Sequence, residues 1–379
     1  MKASLRALLL GMACMAVSSF FDNSRGPLLP LLAERYGLDH SRTALFVSAG
    51  SLAAFFLFLL SMRLLRRMTL TAYLRTAMAL LVCAVAGTAA GGGFGALLIC
   101  GLLWGGSVAA LNMSTNLLAV EGADESARFR RLGMTHACYG LGSAAAGFYA
   151  AYAVSSGWNL ERILFSTLPL IACLFIGAGG PPAAPKQKEA AGGLPWRQLL
   201  SLKAVSGNLA LSFYVLGEVL ASMWLTTFLV AEGGVSLPRA SLYLTGFFIA
   251  LSAGRAAGAW LISPAFEKRL APLCLVVGTA GFLAGMRGIH GGFLLGAFAL
   301  GPFFPLTVSS FMRDYREMFP SLLALCYSTL TLALILGHLA IGALSDVFSL
   351  GAAFYLPAAC LVVSLALFCL SARQPSPAA

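Results

Sequence analysis

Apolar stretches long enough to cross a bilayer recur along nearly the whole chain, broken only where charged, glycine or proline residues cluster. The runs between those breaks predict helices near residues 6–30, 43–62, 70–90, 95–120, 132–154 and 162–180. A polar stretch over 181–203, PPAAPKQKEAAGGLPWRQLLSLK, follows, and six more runs lie near 204–231, 240–262, 270–290, 291–312, 321–344 and 351–371. A spanning helix needs about 20 mostly apolar residues to cross a hydrocarbon core about 30 Å thick, and the runs are of that order. Lipid offers the backbone no hydrogen bonds, so a helix must supply its own. The pattern predicts an all-α membrane protein of about twelve transmembrane helices in two six-helix halves, 1–180 and 204–379, joined by the linker 181–203.

Composition removes the soluble alternatives. The 379 residues are 59% hydrophobic and 10% charged, with a mean hydropathy of +0.86, whereas soluble domains carry roughly 25% charged residues. The net charge of +11 does not indicate nucleic-acid binding, because the basic residues sit in short clusters between apolar runs. Of the 25 Lys and Arg, 18 fall on the side that holds both termini and the linker, including Arg63, Arg66, Arg67, Arg128, Arg130, Arg131, Lys186 and Lys188. The opposite side holds Arg35, Arg42, Arg162, Arg239 and Arg287, while Arg25 and Arg255 lie within spans. Basic residues in short loops favour the cytoplasm, so both termini are expected there, in a cell's inner membrane.

Residues 1–20 have the basic start and apolar core of a signal peptide. No small-x-small site followed by a polar mature sequence appears, and they read as the first helix. The nine cysteines lie inside apolar runs without CxxC or metal-ligand spacing, and read as buried free thiols. No phosphate-binding loop, HExxH motif or nucleotide-binding region stands out, so neither a pump, an enzyme nor a cofactor is expected. The partners expected are lipid, a small solute and protons, with the chain acting as a monomer.

The second half echoes the first. An offset of 197 lays Gly37-Leu38-Asp39-His40-Ser41-Arg42 on Gly234-Val235-Ser236-Leu237-Pro238-Arg239, in both cases just after the first helix of a half. An offset of 195 lays Leu141-Gly142 and Gly147 on Leu336-Gly337 and Gly342 in the fifth helices. Glycine is common in membrane helices, but two matches at nearly one offset point to a duplication.

Ionisable residues deep in a bilayer are costly and mark function by default. They are Asp22, Arg25, His136, Glu218, Arg255 and His338. Under the 197 offset Asp22 falls on Val219, beside Glu218, so the two carboxylates hold nearly equivalent places and are expected to face a central cavity. An acid in a partly dehydrated site can exchange protons near neutral pH, as proton coupling requires. The bland alternative for Asp22 is a structural ion pair with Arg25 one turn on. Asn112 and Asn116 share a face of the fourth helix, two turns beyond Trp104, and with His136, Tyr139 and Trp224 form either a wall for a polyhydroxylated solute or ordinary helix-to-helix bonding. Arg255, between Gly254 and Gly258, is suited to hold a carboxylate or a helix end in a gate, and Asp346 to make a helix-end gate contact. His338 reads equally as a core histidine.

The six-linker-six plan resembles the major facilitator superfamily over essentially the full length. More narrowly, the chain resembles the fucose permease group of sugar symporters. The resembling pieces are Asp22-Asn23-Ser24-Arg25-Gly26-Pro27-Leu28-Leu29-Pro30, Leu111-Asn112, Thr135-His136-Ala137-Cys138-Tyr139-Gly140-Leu141-Gly142, Gly217-Glu218 with Trp224, Gly254-Arg255, and Gly301-Pro302-Phe303-Phe304-Pro305. The resemblance implies proton exchange at Asp22. The chain departs from the group on the fourth helix, which carries Asn112 and Asn116 in place of a second carboxylate, with Glu121 at the cytoplasmic end. Of the superfamily's loop after the second helix only the basic part, Arg63, Arg66 and Arg67, is present. The function expected is alternating-access symport of a small polar solute such as a sugar with a proton. The alternative is a proton-antiport exporter of drugs or metabolites.

Overall fold

A computed structural model describes residues 2–121, 125–179, 199–261, 267–315 and 319–374, and among them regular structure is entirely helical. The helices are α1 Lys2–Tyr36, α2 His40–Arg67, α3 Leu70–Ala90, α4 Phe94–Val120, α5 Glu125–Ser155, α6 Leu160–Phe165, α7 Leu168–Gly177 and α8 Leu202–Ala231. They continue as α9 Leu237–Leu261, α10 Glu267–Met286, α11 Gly291–Leu300, α12 Phe303–Asp314, α13 Phe319–Val347, α14 Leu350–Ala353 and α15 Tyr355–Ala372. Among the described residues eleven stretches are long and apolar enough to cross a membrane. The helix α5 is not among them although it has 31 residues: Gly133, His136, Tyr139, Gly140, Gly142 and Ser143 dilute its apolar content. Of the expected linker 181–203, all but its last residues lie outside the described residues.

Three expected spans are interrupted. The run near 162–180 divides into α6 and α7 at Ser166 and Thr167, just before Pro169. The run near 291–312 divides into α11 and α12 at Gly301-Pro302, and the last run divides into α14 and α15 at Phe354, three residues before Pro357. Proline has no N–H to continue the ladder and its ring crowds the preceding turn, so helices tend to break there. The helix α1 nevertheless runs through Pro27 and Pro30. Side chains cap several helix starts: those of Asp39, Thr69, Ser201 and Ser349 each accept from a backbone N–H of the helix they open. Gly37 after α1 and Gly234 after α8 have φ +60° and +61°, a left-handed conformation that glycine adopts without Cβ strain.

Two compact units form, one of Met1–Lys188 with Gly234–Thr245, the other of Glu189–Gly233 with Gly246–Ala379. The start of α9 is grouped with the first unit, where Thr245 Oγ1 donates to the Ala144 carbonyl at 3.2 Å. Within the first unit α1 packs on α5 and α4, and α4 on α2 and α3; within the second, α8 packs on α15 and α13, and α10 on α11. Small residues set these contacts. A Cβ on Gly105 would stand 2.2 Å from the Gly50 carbonyl oxygen, and one on Gly142 would stand 2.1 Å from that of Ala16. Helices in lipid gain by close backbone approach where a soluble protein would use hydrophobic burial.

All nine cysteines are free. Six are buried as expected, but Cys83 and Cys173 are exposed and Cys369 is intermediate. An outward-facing thiol on a spanning helix meets lipid, so an apolar run does not require it to be inside.

Gly142→Val should lower the unfolding free energy of the detergent-solubilised protein by about 1–3 kcal/mol, the usual cost of overpacking. Gly95→Ala, where a Cβ meets nothing within 4 Å, should leave it unchanged. Denaturant titration followed by circular dichroism measures both.

Candidate functional site

Asp22 and Arg25 sit one turn apart on α1. Arg25 Nη2 pairs with Asp22 Oδ1, and Arg25 Nε donates to the Asp22 carbonyl at 3.2 Å. The arginine side chain is 8% exposed and the aspartate 29%, so the carboxylate is the accessible member of the pair. Arg25 fits because α2 presents glycine to it: a Cβ on Gly50 would lie 2.8 Å from Nη1. That Nη1 is buried with no hydrogen-bond partner among the described residues. From α5, the Tyr139 hydroxyl reaches Asp22 Oδ2 at 3.5 Å. Asn23 Nδ2 donates to Ser143 Oγ at 2.9 Å and Tyr139 Oη at 3.3 Å, stitching α1 to α5 beside the carboxylate.

The helix α4 supplies the other expected polar groups. Ser18 Oγ donates to Asn112 Oδ1 at 2.8 Å. Trp104 is buried, and its Nε1 donates to the Phe21 carbonyl at 2.9 Å. The indole therefore lies within the α1–α4 packing and not on an open wall, because a buried N–H needs an acceptor and the α1 backbone offers one. Asn116 and His136 are exposed, while Tyr139 is half-buried. Glu121 caps the end of α4, beyond the span, where burial raises its carboxyl above the usual range.

The second unit holds a tighter cluster. Glu218 on α8 is buried and its two carboxylate oxygens accept from Arg255 Nη2 at 3.1 and 3.3 Å. Tyr214, one turn earlier on α8, donates to Glu218 Oε2 and stands 3.1 Å from the Leu300 carbonyl oxygen. The small residues around Arg255 let α9 approach the end of α11: a Cβ on Gly254 would lie 2.0 Å from the Phe298 carbonyl oxygen, and one on Gly258 would lie 2.7 Å from Pro302. Two turns beyond Glu218, Trp224 is fully buried and its Nε1 donates to His338 Nδ1 at 3.3 Å. Asp346 is exposed near the end of α13.

Sequence reading named Asp22, Arg25, Tyr139, Glu218, Arg255 and Trp224 but gave no role to Tyr214, Asn23, Ser18 or Gly50. Tyr214 carried a usable signal, since a residue four before Glu218 shares its helix face. Gly50 carried none, because its partner lies on another helix.

Both carboxylates are thus gripped by one guanidinium and approached by one phenol. Each pair is neutral overall, which makes it tolerable in a low-dielectric setting, and removing one partner leaves the other charge exposed to that setting. Among the described residues no group of three His, Cys, Asp or Glu is placed to hold a metal. The Arg255 side chain is 35% exposed and that of Glu218 10%, so solvent screens part of the pair, and Arg255→Gln alone should destabilise by less than the roughly 3–5 kcal/mol of a fully buried pair. Adding Glu218→Gln should recover much of that loss, and a double-mutant cycle on unfolding in detergent measures the coupling.

Residues 8–289 match the model of the Major Facilitator Superfamily. Comparison with curated proteins gives no match. Among solved structures, a bacterial homolog of the human lysosomal transporter Spinster, inward-facing and unoccupied, is similar at a TM-score of 0.82 and 14% identity, with 99% of each chain covered. The nucleoside transporter NupG is similar at 0.78 and 14% identity, covering 97% of this chain and 99% of its own. A D-xylose-proton symporter is similar at 0.72 and 13% identity, covering 96% of both. At these identities the likeness speaks for the fold. The family match, together with helices able to span a membrane, makes the chain a multi-pass transporter, and it belongs to the Major Facilitator Superfamily.

Proposed function

We propose that this transporter is a proton-coupled symporter that carries a small polar solute of the sugar class inward by alternating access. The observation that carries the reading is the paired pattern on α1 and α8. Asp22 and Glu218 are each held by an arginine and approached by a tyrosine. Asp22 and Glu218 are the proton-coupling acids. Arg25 and Arg255 neutralise them when they are ionised, and Asp346 serves as a gate contact at a helix end. Asn112, Asn116, His136 and Tyr139 contact the solute, with Trp224 supporting the wall through His338. The fold is one that a D-xylose-proton symporter also has, so the reading is compatible with it.

Two six-helix halves, with both termini and the linker in the cytoplasm of a cell bounded by its inner membrane, complete the proposal. The charge bias of the loops and the matching left-handed glycines Gly37 and Gly234 support it. The chain acts as a monomer in lipid.

The test is external pH in proteoliposomes on addition of sugars and nucleosides. Wild type should alkalinise the outside with one class of solute, and Asp22→Asn should abolish the signal. Silence across the panel with folded protein overturns symport. Loss of drug resistance on gene deletion would assign the same acids to proton-antiport export.

A further inference from the structure

We propose that Tyr214 is a hydrogen-bond switch that reports the protonation of Glu218 to the break between α11 and α12. The proposal rests on the reading of Glu218 as a proton-binding group. Tyr214 is fully buried, and its hydroxyl faces two acceptors, Glu218 Oε2 and the Leu300 carbonyl oxygen, the latter at 3.1 Å. A phenol has one O–H, so it donates to one of them at a time. While Glu218 is ionised, the charge-assisted bond wins and Tyr214 donates to the carboxylate.

When a proton from water binds Glu218 Oε2, that oxygen becomes a donor. Arg255 Nη2 is a donor only and cannot receive it. The Tyr214 oxygen can, so the acid donates to the phenol and the phenolic hydrogen swings to Leu300. No bond within Tyr214 breaks: one proton is gained at Glu218 and one hydroxyl rotates. Among the described residues the charged groups acting on the Tyr214 hydroxyl are Glu218 on its own helix and Arg255 from α9.

The position of the second acceptor gives the switch its effect. Leu300 is the last residue of α11, and Gly301-Pro302 separates it from α12. Pro302 has no N–H, and the Phe298 carbonyl accepts instead from the Gly301 N–H at 3.2 Å. Phe303, the first residue of α12, lies against the Tyr214 ring with centroids 4.7 Å apart. Tyr214 therefore touches both sides of the break, one through its hydroxyl and the other through its ring. Protonation adds a hydrogen bond on the α11 side without removing the ring contact on the α12 side.

The test places 4-fluorophenylalanine at position 303 and follows its fluorine resonance against pH in lipid nanodiscs. The same samples are followed by infrared difference spectroscopy against Glu218→Gln, to read the carboxyl directly. In wild type the resonance should shift with the same midpoint as the Glu218 band. Glu218→Gln, whose amide N–H donates to Tyr214 as the acid would, should hold the resonance at its low-pH position. Tyr214→Phe should lose the shift while Glu218 still titrates. A shift that persists in Tyr214→Phe overturns the switch, and so does a Glu218 that titrates in wild type without moving the resonance. A Glu218 that takes up no proton wherever the protein is folded overturns the switch and the coupling role of Glu218 together, which separates that failure from the first two.

Discussion

Inside a bilayer an ionised side chain has no water to stabilise it, and this cost governs the arrangement of every charge within these helices. Asp22 and Glu218 persist at the heart of apolar elements because each has a guanidinium at hand. The guanidinium in turn dictates its surroundings. Arg25 needs a bare backbone on α2, which Gly50 provides, and Arg255 needs α9 to lie close to the end of α11, which Gly254 and Gly258 allow. The glycines that bring helices together and the charges that mark the site are thus parts of one requirement. The glycines leave room beside each arginine, and each arginine makes its acid tolerable.

Hydrogen bonding extends the same logic to uncharged groups. Trp104, Asn112, Asn23 and Trp224 each carry a donor or acceptor that lipid cannot satisfy, and each finds its partner on a neighbouring helix within its own unit. Side chains that look available in a linear reading are therefore largely committed to holding helices in register. Asn116 and His136 lie at exposed positions and Asn112 and Tyr139 at half-buried ones.

Much of the helical architecture was legible because the apolar period of a membrane helix is so long that breaks stand out. The boundaries of α3 and α4 differ little from those read in sequence. What escaped was local: the divisions at Ser166, Gly301 and Phe354 fall inside apolar runs, where composition gives no warning and only proline hints at a break. In the site, the carboxylates and arginines were legible because charge is rare in such a chain. The Arg255–Glu218 pairing was foreshadowed by the small residues around Arg255, yet the partner itself was not, since a contact between α8 and α9 depends on how two helices cross. The role of Tyr214 depended in addition on a backbone carbonyl, a group that every residue possesses and no sequence distinguishes.

The two ion pairs differ in one respect with mechanical meaning. Asp22 and Arg25 belong to the same turn of α1, so their attraction travels with that helix and is indifferent to how its neighbours slide. Glu218 and Arg255 belong to different helices, so theirs is a strut, strained by any shear between α8 and α9 and relaxed when the acid is neutralised. One attraction stays within a single helix; the other acts between two.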